Sequence, residues 1–179
     1  KKRGLHFTTS VSINNLSLNE NDIGDFRTFL KLSPPLRSEE DRLALIEGLN
    51  NSLIDIIVSD HKPEDEESKR LTFQQDASGA SGIETLLSLA LELYHNKSCS
   101  LMTIIRSLTS NPAKLFDIKA GSLEKNYPAD IAILDLDKPW VIKKDNIRSK
   151  SKNTAIENKK LQGKVEKTFL NGNLVFDNK

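Results

Sequence analysis

Hydrophobic and polar positions along this chain fall into two regions of different rhythm. Residues 5–13 (LHFTTSVSI) are rich in β-branched and aromatic types and predict a strand. Residues 14–24, polar with Asn, Asp and Gly, predict a loop. Thr28-Phe29-Leu30-Lys31-Leu32 predicts a second short strand, stopped by Ser33-Pro34-Pro35. Ser38 before Glu39-Glu40-Asp41 predicts a helix start, with the serine as N-cap and the acids at the positive end of the dipole. Leu43, Ile46 and Leu49 give that helix an apolar face, and Asn50-Asn51 ends it. Ile54-Asp55-Ile56-Ile57-Val58 is largely apolar, as in a parallel strand buried on both faces, and it runs into Ser59-Asp60-His61. A charged loop then continues to about residue 80, where Gly79 and Gly82 punctuate it. Residues 83–95 (IETLLSLALELYH) predict an apolar helix. Ser100 predicts the cap of another, and Asn111-Pro112 opens a last short one.

The rhythm changes near Ala120. Ile131–Leu134 and Trp140–Ile142 predict two strands, and residues 164–176 (KVEKTFLNGNLVF) alternate around Asn171-Gly172, a type I′ hairpin signal. The Lys- and Asn-rich tract 143–160 predicts a surface loop. The chain therefore reads as an α/β region, residues 1–118, followed by an all-β region, 119–179, with no internal repeat. Strand–loop–helix order predicts right-handed parallel β/α units. About three such strands leave two sheet edges open and the side-chain layers of a barrel half filled, so the pattern predicts part of a larger barrel.

Composition narrows the function classes. The 179 residues are 37% hydrophobic and 28% charged, a globular composition. No apolar run approaches the roughly 20 residues that span a bilayer. Lys plus Arg is 26 and Asp plus Glu 25, so the net charge of +1 offers nucleic acid no general attraction. Cys99 is the single cysteine, which excludes a disulfide framework or multi-cysteine zinc site and suits a reducing cytoplasm. The chain opens Lys1-Lys2-Arg3-Gly4, which reads as a basic last helical turn with a glycine cap, and its one methionine is Met102; both predict a chain cut from a longer protein.

Asp60 is the leading candidate for chemistry, because it follows the C-terminal end of a buried strand, where α/β barrels place catalytic groups. A carboxylate there can bind a divalent metal or take a proton from water; one there equally serves to cap local N–H groups. His61 points away from its neighbour and reads as a packed, hydrogen-bonded ring. His6 lies in a predicted strand, and His95 places a cation at a helix C-terminus. The three histidines lack the close spacing of a metal site. Glu64-Asp65-Glu66-Glu67 reads as a solvated acidic run. Gly79-Ala80-Ser81-Gly82 before a helix offers backbone N–H groups to an anion, or is simply a tight loop entry. Lys150-Ser151-Lys152-Asn153 has no interleaved aromatics for nucleic acid, and nothing near Cys99 marks it as activated.

An ordered set of motifs is similar to the dihydroorotases. Leu32-Ser33-Pro34-Pro35-Leu36-Arg37, followed by acids and Arg42, resembles that family's N-P-P-L-R segment. Residues 54–63 (IDIIVSDHKP) resemble its strand ending in D-H-x-P, and residues 79–85 (GASGIET) its G-x-x-G-[LI]-E-T. Asn111-Pro112-Ala113, Gly121-Ser122-Leu123 and Ala129-Asp130-Ile131 resemble the ending shared by the wider cyclic amidohydrolases; residues 149–154 (SKSKNT) and the final hairpin fit too. The resemblance implies the C-terminal part of a metal-dependent (β/α)8 barrel, with the C-terminal part of a small β-sandwich. It implies reversible cyclisation of N-carbamoyl-aspartate to dihydroorotate in pyrimidine synthesis, zinc in the parent protein, and Asp60 as metal contact and proton shuttle. It assigns substrate binding to Ser33, Glu64, Ser78 and Gly79.

The departures from the family pattern are specific. The metal-binding H-x-H lies upstream of the residues given, so zinc is not expected on this chain alone and the isolated chain is expected to be inactive. Asn14 or Asn15 replaces an expected metal-ligand histidine, and amides are poor zinc ligands beside imidazole. Ser33 replaces an Asn. Glu64 replaces a His, and an acid there repels a dianionic substrate. This pattern also resembles catalytically silent dihydroorotase-like subunits that support aspartate carbamoyltransferase. The expected partners are a small-molecule substrate, the N-terminal part of its own chain, that transferase and further copies of itself, with no nucleic acid or membrane.

Overall fold

The computed structural model describes residues 4–178; the basic turn expected at Lys1–Arg3 lies outside them. Strand β1 (Ser10–Ser12) pairs in parallel with β2 (Ile56–Val58), in the register Ser10 to Ile56 and Ser12 to Val58. Between them lie the short helix α1 (Ile13–Ser17) and helix α2 (Glu39–Asn50). Ser38 caps α2 as expected, its hydroxyl accepting from the Asp41 N–H at 3.2 Å. The helix buries Ile46, Gly48 and Leu49, whereas Leu43 is 52% exposed and does not share the buried face.

Three expectations in this half are corrected. The strand expected over 5–13 is paired only at Ser10–Ser12, because Ser12 turns the chain into α1 by accepting from the Asn14 N–H at 3.3 Å. The loop expected over 14–24 contains most of α1 and a 3₁₀ turn at Glu20–Ile23, closed by a capping box between Asn19 and Asp22. Thr28–Leu32 is not a strand: Thr28–Leu30 forms a 3₁₀ turn. Its Thr28 hydroxyl donates to Lys69 O at 2.7 Å, and Leu30 and Leu32 enter the core, so packing overrides β propensity. Two barrel-type strands, not three, are paired among the described residues.

Helices α3 (Leu86–His95), α4 (Leu101–Leu108) and α5 (Ser110–Leu115) follow β2. Ser100 caps α4, accepting from the Thr103 N–H at 3.0 Å. The all-β half is one antiparallel sheet in the order β3 (Ile131–Val141), β4 (Lys160–Leu170), β5 (Asn173–Asp177). The two strands expected at 131–134 and 140–142 are one. Its ladder is interrupted between Asp135 and Pro139, where proline has no N–H to give and Asp135 Oδ1 takes the N–H groups of Asp137 and Lys138. The Asn171-Gly172 turn has φ of 49° and 79°, as the I′ signal requires.

One apolar core joins the two halves. Ile13, Leu16, Leu89, Ala90 and Ile104 pack with Ile142, Ile147, Ile156 and Leu161. Each fully buried large aliphatic side chain contributes about 1.5–3 kcal/mol. The close approach of β4 to α3 rests on Gly163, where a Cβ would collide with the Leu91 side chain. Ser88 Oγ donates to Gly163 O at 2.7 Å and accepts from Trp140 Nε1 at 3.1 Å. The tract 143–160 is largely an irregular surface segment, as its lysines suggest, but Ile147 and Asn153–Ile156 are buried.

Candidate functional site

The candidate residues gather at the C-terminal ends of β1 and β2. In parallel strands those ends lie on one side, and Asn14 and Asp60 each stand two residues beyond the last paired positions, Ser12 and Val58. Asp60 has φ of 48°, a left-handed conformation uncommon outside glycine. The turn is held by its neighbour: His61 Nδ1 accepts from the N–H groups of Gly82 and Ile83 at 3.1 and 3.4 Å.

Lys62 ties three expected substrate-binding positions together. Its ammonium pairs with Glu64 Oε1 at 3.3 Å and donates to Ser78 O at 2.7 Å. Its carbonyl lies where a Cβ on Gly79 would come within 2.5 Å, and Gly79 has φ of 148°, so only glycine fits. Gly79 N–H donates to Lys31 O at 2.9 Å, which brings the glycine loop to the segment leading into Ser33. Ser33 itself is exposed and precedes Pro34 through a cis peptide bond.

The all-β half closes the other side. Asn153 Nδ2 donates to Gly79 O at 3.0 Å, and its Oδ1 accepts from Glu64 N–H at 3.3 Å. Ser151 Oγ lies within hydrogen-bond distance of both Glu64 O and Asn153 Oδ1, with one hydrogen to give to either. Glu84 accepts from the N–H groups of Arg148 and Ser149 at 2.8 and 3.0 Å, anchoring the same tract. A cavity of about 560 Å³ lies here, lined by Phe29, Pro63, Glu64, Lys150, Ser151 and Asn153 among others. Lys62 and Asn153 organise this region, yet neither was singled out from sequence. Asn153 stood only within a lysine-rich tract, and the one signal that marked it was the S-K-S-K-N-T resemblance.

The loop between Lys62 and Gly79 has its own clamp. Lys69 Nζ pairs with Asp76 Oδ2 at 2.7 Å, with side chains 1% and 0% exposed, and also donates to Ala77 O at 2.6 Å. Lys31 Nζ donates to Asp76 O at 2.6 Å. Cys99 is buried away from these groups, and burial pushes its thiol pKa up, the opposite of activation.

A metal does not fit this set of donors alone. Among the described residues there is no group of three His, Cys, Asp or Glu side chains able to hold one. At the end of β1 stand two buried amides, Asn14 with Nδ2 unpartnered and Asn15 with Oδ1 unpartnered. Asn15 Nδ2 donates to Pro35 O at 3.0 Å. An amide beside a single carboxylate is a weak zinc environment. No described helix is long and apolar enough to cross a membrane.

An α/β fold with a carboxylate in the turn after a parallel strand, faced by a glycine loop, is the arrangement of a barrel hydrolase. The chain belongs to the amidohydrolase family, whose model matches residues 2–175. Metal binding is a general property of that family. Among curated relatives it is 40% identical over 179 residues to a dihydroorotase of Wolbachia sp. subsp. Drosophila simulans (strain wRi), covering all of this chain and 41% of the relative. It is 41% identical to a dihydroorotase of Ehrlichia chaffeensis, covering 98% of this chain and 39% of the relative. A dihydroorotase of Aquifex aeolicus is 38% identical, with 98% and 42% covered. Among solved structures, the L-hydantoinase (dihydropyrimidinase) of Arthrobacter aurescens superposes with a TM-score of 0.92 at 29% identity, over 98% of this chain and 40% of that one. The chain thus spans about two fifths of the length of the relatives it matches.

Proposed function

We propose that this chain supplies the C-terminal part of a dihydroorotase-like cyclic amidohydrolase that interconverts N-carbamoyl-L-aspartate and dihydroorotate in pyrimidine biosynthesis, in the cytoplasm. Residues 1–118 are its share of the barrel and 119–179 its share of a β-sandwich. The observation that carries the reading is Asp60, set in a left-handed turn at the end of β2. It is two residues from the lysine that links Glu64, Ser78 and Gly79. The relatives named dihydroorotase, 38–41% identical over nearly the whole chain, support the same reading.

In the hydrolytic direction water adds to the ring amide carbon and the C–N bond breaks. Asp60 takes the proton from the attacking water and returns it to the leaving nitrogen, so the proton balance closes on one carboxylate. Ser33, Ser78 and Gly79 provide polar contacts for the substrate. Glu64 brings negative charge to the same place, balanced by the Lys62 ammonium. The residues of this chain do not make a metal site by themselves, and no step is assigned to a metal.

A second reading has its own support. Asn14 and Asn15, each with one amide atom unpartnered, stand where a ligand histidine is expected, and Glu64 stands where a substrate-binding histidine is expected. These replacements fit a catalytically silent subunit that supports aspartate carbamoyltransferase, as a homo-oligomer or bound to it. Dihydroorotate hydrolysis and metal content of the full-length protein decide between the two, with Asp60→Ala as the control. Turnover that the substitution abolishes supports the enzyme. A folded, metal-free protein without turnover supports the silent subunit.

A further inference from the structure

We propose that Asn153, in the all-β half, is a positioning residue that holds the two candidate substrate-binding segments of the α/β half at one separation. The side chain is buried, 3% exposed, with both ends of its amide in use. Nδ2 donates to the carbonyl of Gly79, on the glycine loop. Oδ1 accepts from the backbone N–H of Glu64, on the segment after β2, and lies within hydrogen-bond distance of the hydroxyls of Ser81 and Ser151. Its own carbonyl accepts from Ser81 N–H at 2.9 Å. A side chain that only filled space would not need a donor at one end and an acceptor at the other. Here the donor meets one loop and the acceptor the other, so the amide fixes their distance and relative tilt. The partners lie 74 and 89 residues away in sequence, so packing of the β half is transmitted directly to the loops beside Asp60.

The amide polarity makes the role testable. Asn153→Ala removes both ends. Asn153→Asp keeps the acceptor for Glu64 N–H and turns the donor into an oxygen that faces the Gly79 carbonyl. The consequence for turnover rests on the cyclic-amidohydrolase reading; the consequence for the loops does not.

The experiment is hydrogen–deuterium exchange of the full-length protein together with steady-state hydrolysis of dihydroorotate. In Asn153→Ala the Glu64 amide exchanges about tenfold or more faster while α2 is unchanged. KM rises about tenfold with kcat near the wild-type value, as for loss of uniform binding. In Asn153→Asp the Glu64 amide stays protected, the Ser81 amide exchanges faster, and KM still rises. Where Asn153→Ala fails to fold, the Asp variant decides by the same two readouts. Unchanged exchange at Glu64 and Ser81, or a fall in kcat at constant KM, overturns the proposal. A wild-type protein that does not hydrolyse dihydroorotate overturns the activity reading, and the exchange pattern then decides the positioning role by itself.

Discussion

Replacing Lys69 by Met isolates the energetics of the clamp inside the 62–79 loop. The methionine keeps the length of the aliphatic stem and removes the ammonium. Asp76 Oδ2 then loses its 2.7 Å partner and Ala77 O its 2.6 Å donor, at a site where the lysine and aspartate side chains are 1% and 0% exposed. Asp76 Oδ1 has no partner even in the intact pair, so the stranded carboxylate has no second donor to fall back on. Breaking one side of a buried ion pair costs about 3–5 kcal/mol. Against a total stability of about 5–15 kcal/mol, that is about a fifth of the whole or more. The loss does not measure what the pair contributes relative to apolar packing. The double variant Lys69→Met/Asp76→Leu removes both charges and is expected to recover most of the deficit, since such replacements are often neutral or better. The assay is urea unfolding of the full-length protein followed by tryptophan emission, Trp140 reporting from this chain, with the slope against urea checked for constancy. A loss below about 1 kcal/mol for Lys69→Met, or a double variant as unstable as the single one, refutes the reasoning.

Three further outcomes are expected. Gly163→Ala forces a methyl group into Leu91 between β4 and α3 and lowers stability by about 1–3 kcal/mol, measured by the same urea titration. Glu39, hydrogen-bonded by Arg42 and Asn19, has its pKa lowered from 4.5 to about 2. A depressed folded-state pKa means its stabilising contribution is present above 4.5 and is lost as pH falls through about 2, so the wild-type Tm drops more steeply over that window than that of Glu39→Gln. Asp60→Ala abolishes dihydroorotate hydrolysis by the full-length protein, while costing only about 1 kcal/mol in urea unfolding, since Asp60 is only partly buried and the loss is that of alanine in a left-handed turn.

What could be read from the sequence was local chemistry. Ser38 and Ser100 cap helices because a hydroxyl beside a bare N–H needs no distant partner. Asn171-Gly172 turns because both residues tolerate positive φ. Where the outcome depended on distant packing, the local signal misled. Thr28–Leu32 has strand composition but joins no strand; the Lys69 carbonyl takes the Thr28 hydroxyl and the core takes Leu30 and Leu32. The tract 143–160 has the composition of a solvated loop, yet its Ile147, Ala155 and Ile156 enter the core.

The candidate site divides along the same line. Asp60 was legible because the end of a buried strand is a position that can be counted along the chain. The grouping of Glu64, Ser78 and Gly79 was legible only through resemblance, and its physical cause was not: Lys62 reaches 16 residues ahead to Ser78, and Asn153 reaches back 89 to Glu64. Neither side chain has a distinctive neighbourhood in the sequence. The tract carrying Asn153 leads directly into β4, so these bonds tie the loop after β2 to the α3–β4 packing. The geometry beside Asp60 therefore depends on the β half, through Asn153, as well as on the contacts of His61 with Gly82 and Ile83. It follows that substitutions in the α3–β4 contact, Gly163 above all, should disturb the 62–82 loop, although they lie outside it.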